Sequence, residues 1–186
     1  EDASNLSKED YGQNEEESLQ EDFFTGVKLV YPSEGKSFTY NFEADTMGFY
    51  RHSGDGFSKK SKSIEFSQDL KRQNNSGALK LNLNFANQTW NEANIAIRLT
   101  DSQDKKFDFG KYSSLEYSLY IPKPEALSGK LLVGSAVDNT WQIIKDFTPI
   151  DYKNKNNIQK INNVNYAVIK CTDNLYNIKT KSSNIL

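Results

Sequence analysis

Alternation with a period of two residues runs through most of this chain and restricts its fold more than any other feature. Phe38, Tyr40 and Phe42 alternate with Thr39, Asn41 and Glu43. Ile64 and Phe66 sit among polar neighbours. Leu79, Leu81, Leu83 and Phe85 alternate with Lys80, Asn82 and Asn84. Ala93, Ile95, Ile97 and Leu99 alternate with Glu92, Asn94 and Arg98, and Leu115, Tyr117, Leu119 and Ile121 with Glu116, Ser118 and Tyr120. Further apolar runs hold Val133 and Val137, and Ala167, Ile169 and Cys171. Successive side chains of a strand point to opposite faces, so this pattern predicts strands buried on one side. Clusters such as Asn74-Asn75-Ser76-Gly77 and Asp138-Asn139 supply the turns between them. No amphipathic helix and no internal repeat follows Phe38. Many short strands with turn punctuation predict an all-β fold, a β-sandwich or jelly roll.

The pattern begins late. Residues 1–24 read as an acidic linker or tail, with disorder favoured over a short helix at Glu15–Phe24. The stretch from Glu1 to Asp22 carries nine acids and one lysine. Of the 25 acids and 23 bases in the whole chain, 16 and 22 remain for the rest, a mildly basic domain from 25 to 186. That balance is too weak for a nucleic-acid partner, which calls for a dense basic stripe. Aromatic residues make up 12% of the 186 residues, too many for a chain that stays unfolded. No run approaches the ~18 apolar residues of a membrane span, so no membrane partner is expected. The acidic opening lacks the basic-then-apolar pattern of a signal peptide. Ser182–Leu186 reads as the start of a last strand cut short, and the native chain is expected to continue.

Catalytic motifs are missing from the sequence. His52 is the one histidine, in Tyr50-Arg51-His52-Ser53-Gly54-Asp55-Gly56, which reads as a loop. Any Ser-His-Asp or Cys-His triad would depend on it, and a turn histidine is the simpler reading. Cys171 is the one cysteine, which excludes an intrachain disulfide and a cysteine-based zinc site. There is no phosphate-binding glycine loop and no Gly-x-Ser-x-Gly elbow. Nothing selects a catalytic pair among the carboxylates. A (β/α)8 barrel needs ~250 residues and alternating helices.

The two tryptophans remain, with the aromatic pair Phe49-Tyr50 in a glycine-rich segment. If its strand already runs at that point, Trp90 shares the parity of Glu92, Asn94 and Arg98, the polar set. A tryptophan on a polar face exposes a large apolar plane unless something covers it. A pyranose ring offers an apolar C–H face to stack on indole, and its hydroxyl rim would meet donors and acceptors on Glu92, Asn94 and Arg98. The alternative is that Trp90 begins the strand in a bend and packs at the core edge. For Trp141 the preceding turn resets the register, and a core position is the simpler reading. Phe49 and Tyr50 read either as exposed loop aromatics or as packing beneath the loop.

Three segments carry a resemblance: Gly77-Ala78-Leu79-Lys80-Leu81-Asn82-Leu83; Trp90-Asn91-Glu92; and Ser114-Leu115-Glu116-Tyr117-Ser118-Leu119-Tyr120-Ile121-Pro122. With Leu127-Ser128-Gly129-Lys130-Leu131 and Asn139-Thr140-Trp141, they resemble the mannan-binding carbohydrate-binding modules of family 27 and the related family 23. The resemblance spans about residues 38 to 180. It implies a jelly roll that binds β-1,4-mannan, glucomannan or galactomannan without cleaving it, as a monomer. It also implies a secreted parent enzyme, a mannanase whose catalytic domain the module targets to polysaccharide. Trp90 and Trp141 match two of the family's three aromatic platforms. Phe49 and Tyr50 stand in the region of the third, and Glu92 matches an acid beside the platform. No cofactor is required. A structural calcium between first and last strands is part of the resemblance, with Glu43 the candidate ligand. Two rivals are a catalytic jelly-roll glycanase or lyase, which would need facing carboxylates, and a structural or adhesion sandwich, which would present a flat aromatic patch.

Overall fold

A computed structural model describes residues 20–30, 37–40, 42, 44–68, 70, 77–85, 91–98, 107–108, 112–137, 142–175, 178, 181–182 and 184–185. For 20–30, 37–39, 98, 107–108, 181–182 and 184–185 it describes the backbone. The strands are β1 (Gln20–Val30), β2 (Ser37–Tyr40), β3 (Phe49–Ser53), β4 (Ile64–Ser67), β5 (Ala78–Leu83), β6 (Asn94–Arg98) and β7 (Phe107–Asp108). They continue as β8 (Ser114–Pro122), β9 (Leu132–Val137), β10 (Gln142–Pro149), β11 (Ile158–Ile161), β12 (Val164–Asn174), β13 (Lys181–Ser182) and β14 (Asn184–Ile185).

Among the described residues, one sheet runs β11-β12-β8-β1-β5-β4, with β2 also on β1. A second runs β10-β9-β14-β6-β3, and β13 and β7 form a separate pair. The named pairings are antiparallel, as expected for a chain of hairpins and returns. Aromatic and aliphatic side chains fill the space between the two sheets, with Phe42, Leu79, Val137 and Leu175 fully buried. The architecture is the predicted all-β sandwich.

Two expectations are corrected. The linker does not extend to residue 24: Gln20–Phe24 already pair with β5, Asp22 opposite Leu81 and Phe24 opposite Leu79. Their acids suggested a tail, but β8 and β5 flank β1 on both sides and supply partners for its backbone. Nor is Tyr50–Ser53 a loop. It is part of β3, and the glycines that suggested a loop punctuate its ends: Gly48 and Gly54 have φ of +83° and +104°. At the other end of the chain, 181–182 and 184–185 form β13 and β14, and β14 bridges β6 and β9.

Strict alternation also fails in places where both faces of the first sheet are covered. Tyr120, on the polar parity of β8, is buried in a second cluster with Leu70, Ala78, Tyr166 and Val168. Its ring lies edge-on to Tyr166 at 6.3 Å. Asn82 is buried because its amide donates to the Lys62 carbonyl at 2.7 Å.

A polar knot joins the sheets. Asp173 on β12 is 1% exposed. Its Oδ2 accepts from the Tyr117 hydroxyl on β8 at 2.9 Å and from Ser135 Oγ on β9 at 2.6 Å. Lys145 Nζ on β10 lies 3.4 Å from Oδ1. A carboxylate can be buried at tolerable cost only when paired and hydrogen-bonded like this. Burial, followed by the negative charge of Asp173, pushes the Tyr117 hydroxyl well above the usual phenol range, so it remains a donor.

Candidate functional site

The second sheet has a buried face and an open one, and β3 and β6 sort their residues between them. Cross-strand partners share a face. Phe49 stands opposite Ile97, and both are buried. The Phe49 ring packs edge-on against Tyr40 at 5.3 Å and tilted against Phe42 at 5.5 Å. Phe49 is therefore a core residue, and the expectation that it contacts a ligand is corrected. Tyr50, opposite Ala96, turns the other way and is 39% exposed. The His52 ring follows at 6.4 Å from Tyr50.

A register shift between Arg51 and Ser53 brings Ser53 opposite Asn94. Such a bulge re-aims side chains locally. Asn94 Nδ2 donates to Ser53 Oγ at 3.1 Å and lies 3.4 Å from Glu92 Oε2. Ser53 Oγ is also 2.9 Å from His52 Nδ1. Glu92 is fixed by its backbone: its N–H donates to Asp55 Oδ1 at 3.3 Å, and its carbonyl accepts from Gly56 N–H at 2.7 Å. Arg51 does not join this group. Its guanidinium donates to Ser63 Oγ and the Gly54 carbonyl, and stands 5.1 Å from the centre of the Phe57 ring.

The open face continues across the sheet. Ile97 aligns with Ile185, and Ile185 with Val137. Ala136 is opposite Ile143 on β10. Tyr50 and Ala96 on one side of β14, and Ala136 and Ile143 on the other, thus fall in one transverse row, exposed at Tyr50 and Ile143 and buried at Ala96.

Of the residues singled out from sequence, the structure brings Glu92 and Asn94 together, with Tyr50 linked to them through His52 and Ser53. It adds His52, Ser53 and Asp55, which the sequence reading places in a loop. Their parity around the bulge is what the sequence hid. Arg98 is placed in β6 opposite Asn184. Trp90, Trp141 and Glu43 lie outside the described residues, and among those residues no three His, Cys, Asp or Glu side chains gather as a metal-binding group. The arrangement offers one exposed aromatic ring with an imidazole next to it and, linked through that imidazole, a hydroxyl, an amide and a carboxylate, groups of the kind that a ligand with an apolar face and a hydroxyl rim would use.

The fold defines a β-sandwich of the jelly-roll class. Its fold is similar to that of a solved structure, Caldicellulosiruptor saccharolyticus CBM27-1 in complex with mannohexaose, with a TM-score of 0.60 over 76% of this chain and 79% of that one. Sequence identity is 24%, so the likeness is one of fold. No protein-family model matches the chain, and no curated protein matches it significantly.

Proposed function

We propose that this chain is a non-catalytic carbohydrate-binding module for β-1,4-mannan-type polysaccharide, mannan, glucomannan or galactomannan, held on the open face of the second sheet. The observation that carries the reading is the shared fold with a module solved in complex with mannohexaose. The cluster of Tyr50, Glu92, Asn94 and Ser53 supports it with a ring for stacking and polar groups for sugar hydroxyls. Trp90 and Trp141 are the further stacking platforms of this reading, and Arg98 a further polar contact. Covering ~100 Å² of an aromatic face contributes about 2.5 kcal/mol. Two or three platforms, less the cost of association, lead to a Kd in the range of roughly micromolar to sub-millimolar. In the parent protein, secreted in this reading, the module would raise the local concentration of an attached mannanase domain on its substrate.

Isothermal titration with mannohexaose, against cellohexaose, is the test. Heat with the mannan oligomer and little with the glucan is expected. Silence with both from folded protein would overturn the proposal. Trp90→Ala should abolish retardation in a mannan affinity gel while leaving the folded spectrum intact.

A further inference from the structure

Ile143 and Phe147, 58% and 50% exposed, are the most exposed large apolar side chains among the described residues, and both lie on β10. Unbroken alternation would put Ile143, Lys145 and Phe147 on one face. The register against β9 shifts between Ile143 and Lys145 and again between Lys145 and Thr148. These bulges let Lys145 turn inward to Asp173 while Ile143 and Phe147 remain in the open.

Gly134 on β9 makes room beside Phe147. A Cβ at that position would meet the Lys145 carbonyl oxygen at 3.0 Å, Phe147 N at 3.3 Å and Phe147 Cδ1 at 3.4 Å. Glycine lets the phenyl ring settle low against the β9 backbone. Ile143 closes the transverse row that Tyr50 opens, four strand spacings away, or ~19 Å at ~4.8 Å each. Exposed apolar bulk on a strand that ends the order of its sheet among the described residues is a liability unless a ligand covers it. A small molecule on Tyr50 would not reach this strand, but a linear polymer crossing the sheet would.

We infer that Phe147, with Ile143 beside it, is a second contact zone for the polysaccharide chain, which runs across the strands from Tyr50 to β10. This rests on the mannan-binding reading and adds the direction and extent of the bound chain. The experiment is titration of wild type, Phe147→Ala and Phe147→Tyr with mannohexaose and mannotriose, with circular dichroism as the fold control. Phe147→Ala should weaken mannohexaose binding about tenfold and mannotriose binding less, and Phe147→Tyr should retain affinity. Ile143→Ser, at a still more exposed position, supplies the same test should Phe147→Ala not fold. Unchanged mannohexaose affinity in Phe147→Ala and Ile143→Ser would overturn the inference while leaving mannan binding intact. Failure of wild type to bind either oligomer would instead overturn the reading on which it rests. Loss of self-association in Phe147→Ala by ultracentrifugation, with oligosaccharide affinity unchanged, would assign the patch to a second copy of the chain and equally overturn it.

Discussion

Phe49→Ala and Tyr50→Ala are expected to separate stability from binding at adjacent positions. Removing the buried Phe49 ring leaves a cavity against Tyr40 and Phe42 and should cost about 3–5 kcal/mol, read as a lower urea midpoint at unchanged slope. Tyr50→Ala should shift the midpoint little and weaken mannohexaose by about tenfold in titration. In sequence the two aromatics are equivalent: both sit between glycines, and no alternation fixes which one faces in. The pairing of Phe49 with Ile97 makes the choice, and that pairing is a tertiary fact. Asp173 was illegible for a related reason. A lone acid between Thr172 and Asn174 acquires meaning only when Tyr117, Ser135 and Lys145 arrive from three other strands. Asp173→Ala should destabilise by about 2–4 kcal/mol, because Tyr117 and Ser135 lose the acceptor they are buried against. A midpoint unchanged from wild type would show that the knot contributes nothing.

Among elements, β5 and β8 were legible because their leucines and isoleucines fall on one parity, although Ala78, Asn82, Ser118 and Tyr120 on the other parity are buried as well. β1 and β10 were not. β1 is rich in polar residues and contains a register shift between Thr25 and Lys28, and β10 has two shifts against β9. Bulges break the period on which sequence reading depends, and those of β10, with the one in β3, lie in the sheet that carries the open face. The link between β3 and β6 makes this testable. Gly54, at φ +104°, lies so close to the Glu92 carbonyl that an added Cβ would fall 2.2 Å from its oxygen. Gly54→Ala should therefore displace Glu92 and, with it, the Asn94 amide. Mannohexaose affinity should drop at least tenfold, with a stability loss of more than about 1 kcal/mol. A variant that keeps both would mean that the Asp55–Gly56 turn does not position Glu92.

At the scale of the molecule, three titratable groups stand in the core between the two sheets, and together they fix how the fold responds to alkali. Burial raises the Tyr40 hydroxyl to about 12 and lifts both Tyr117 and the Cys171 thiol above their ordinary values. All three are neutral when protonated, so the native state holds these protons at a pH where the unfolded chain has begun to release them. The unfolded state then binds fewer protons than the native one, and stability must fall as pH rises. The stabilisation is complete below the ordinary thiol and phenol range and is lost on climbing through it, at up to about 1.4 kcal/mol per pH unit for each group fully ionised in the unfolded chain alone. The urea midpoint should hold steady up to about pH 8 and fall clearly between pH 9 and 11. Tyr117→Phe should make that fall shallower while lowering stability at neutral pH, since Asp173 then accepts from Ser135 but no longer from a phenol. Mannohexaose affinity over the same range should change only once unfolding sets in, because the knot lies between the sheets and the face proposed for the sugar on the outside of one of them. An affinity that fell at pH 9, ahead of any loss of structure, would place a titrating group of the binding face itself in contact with the sugar.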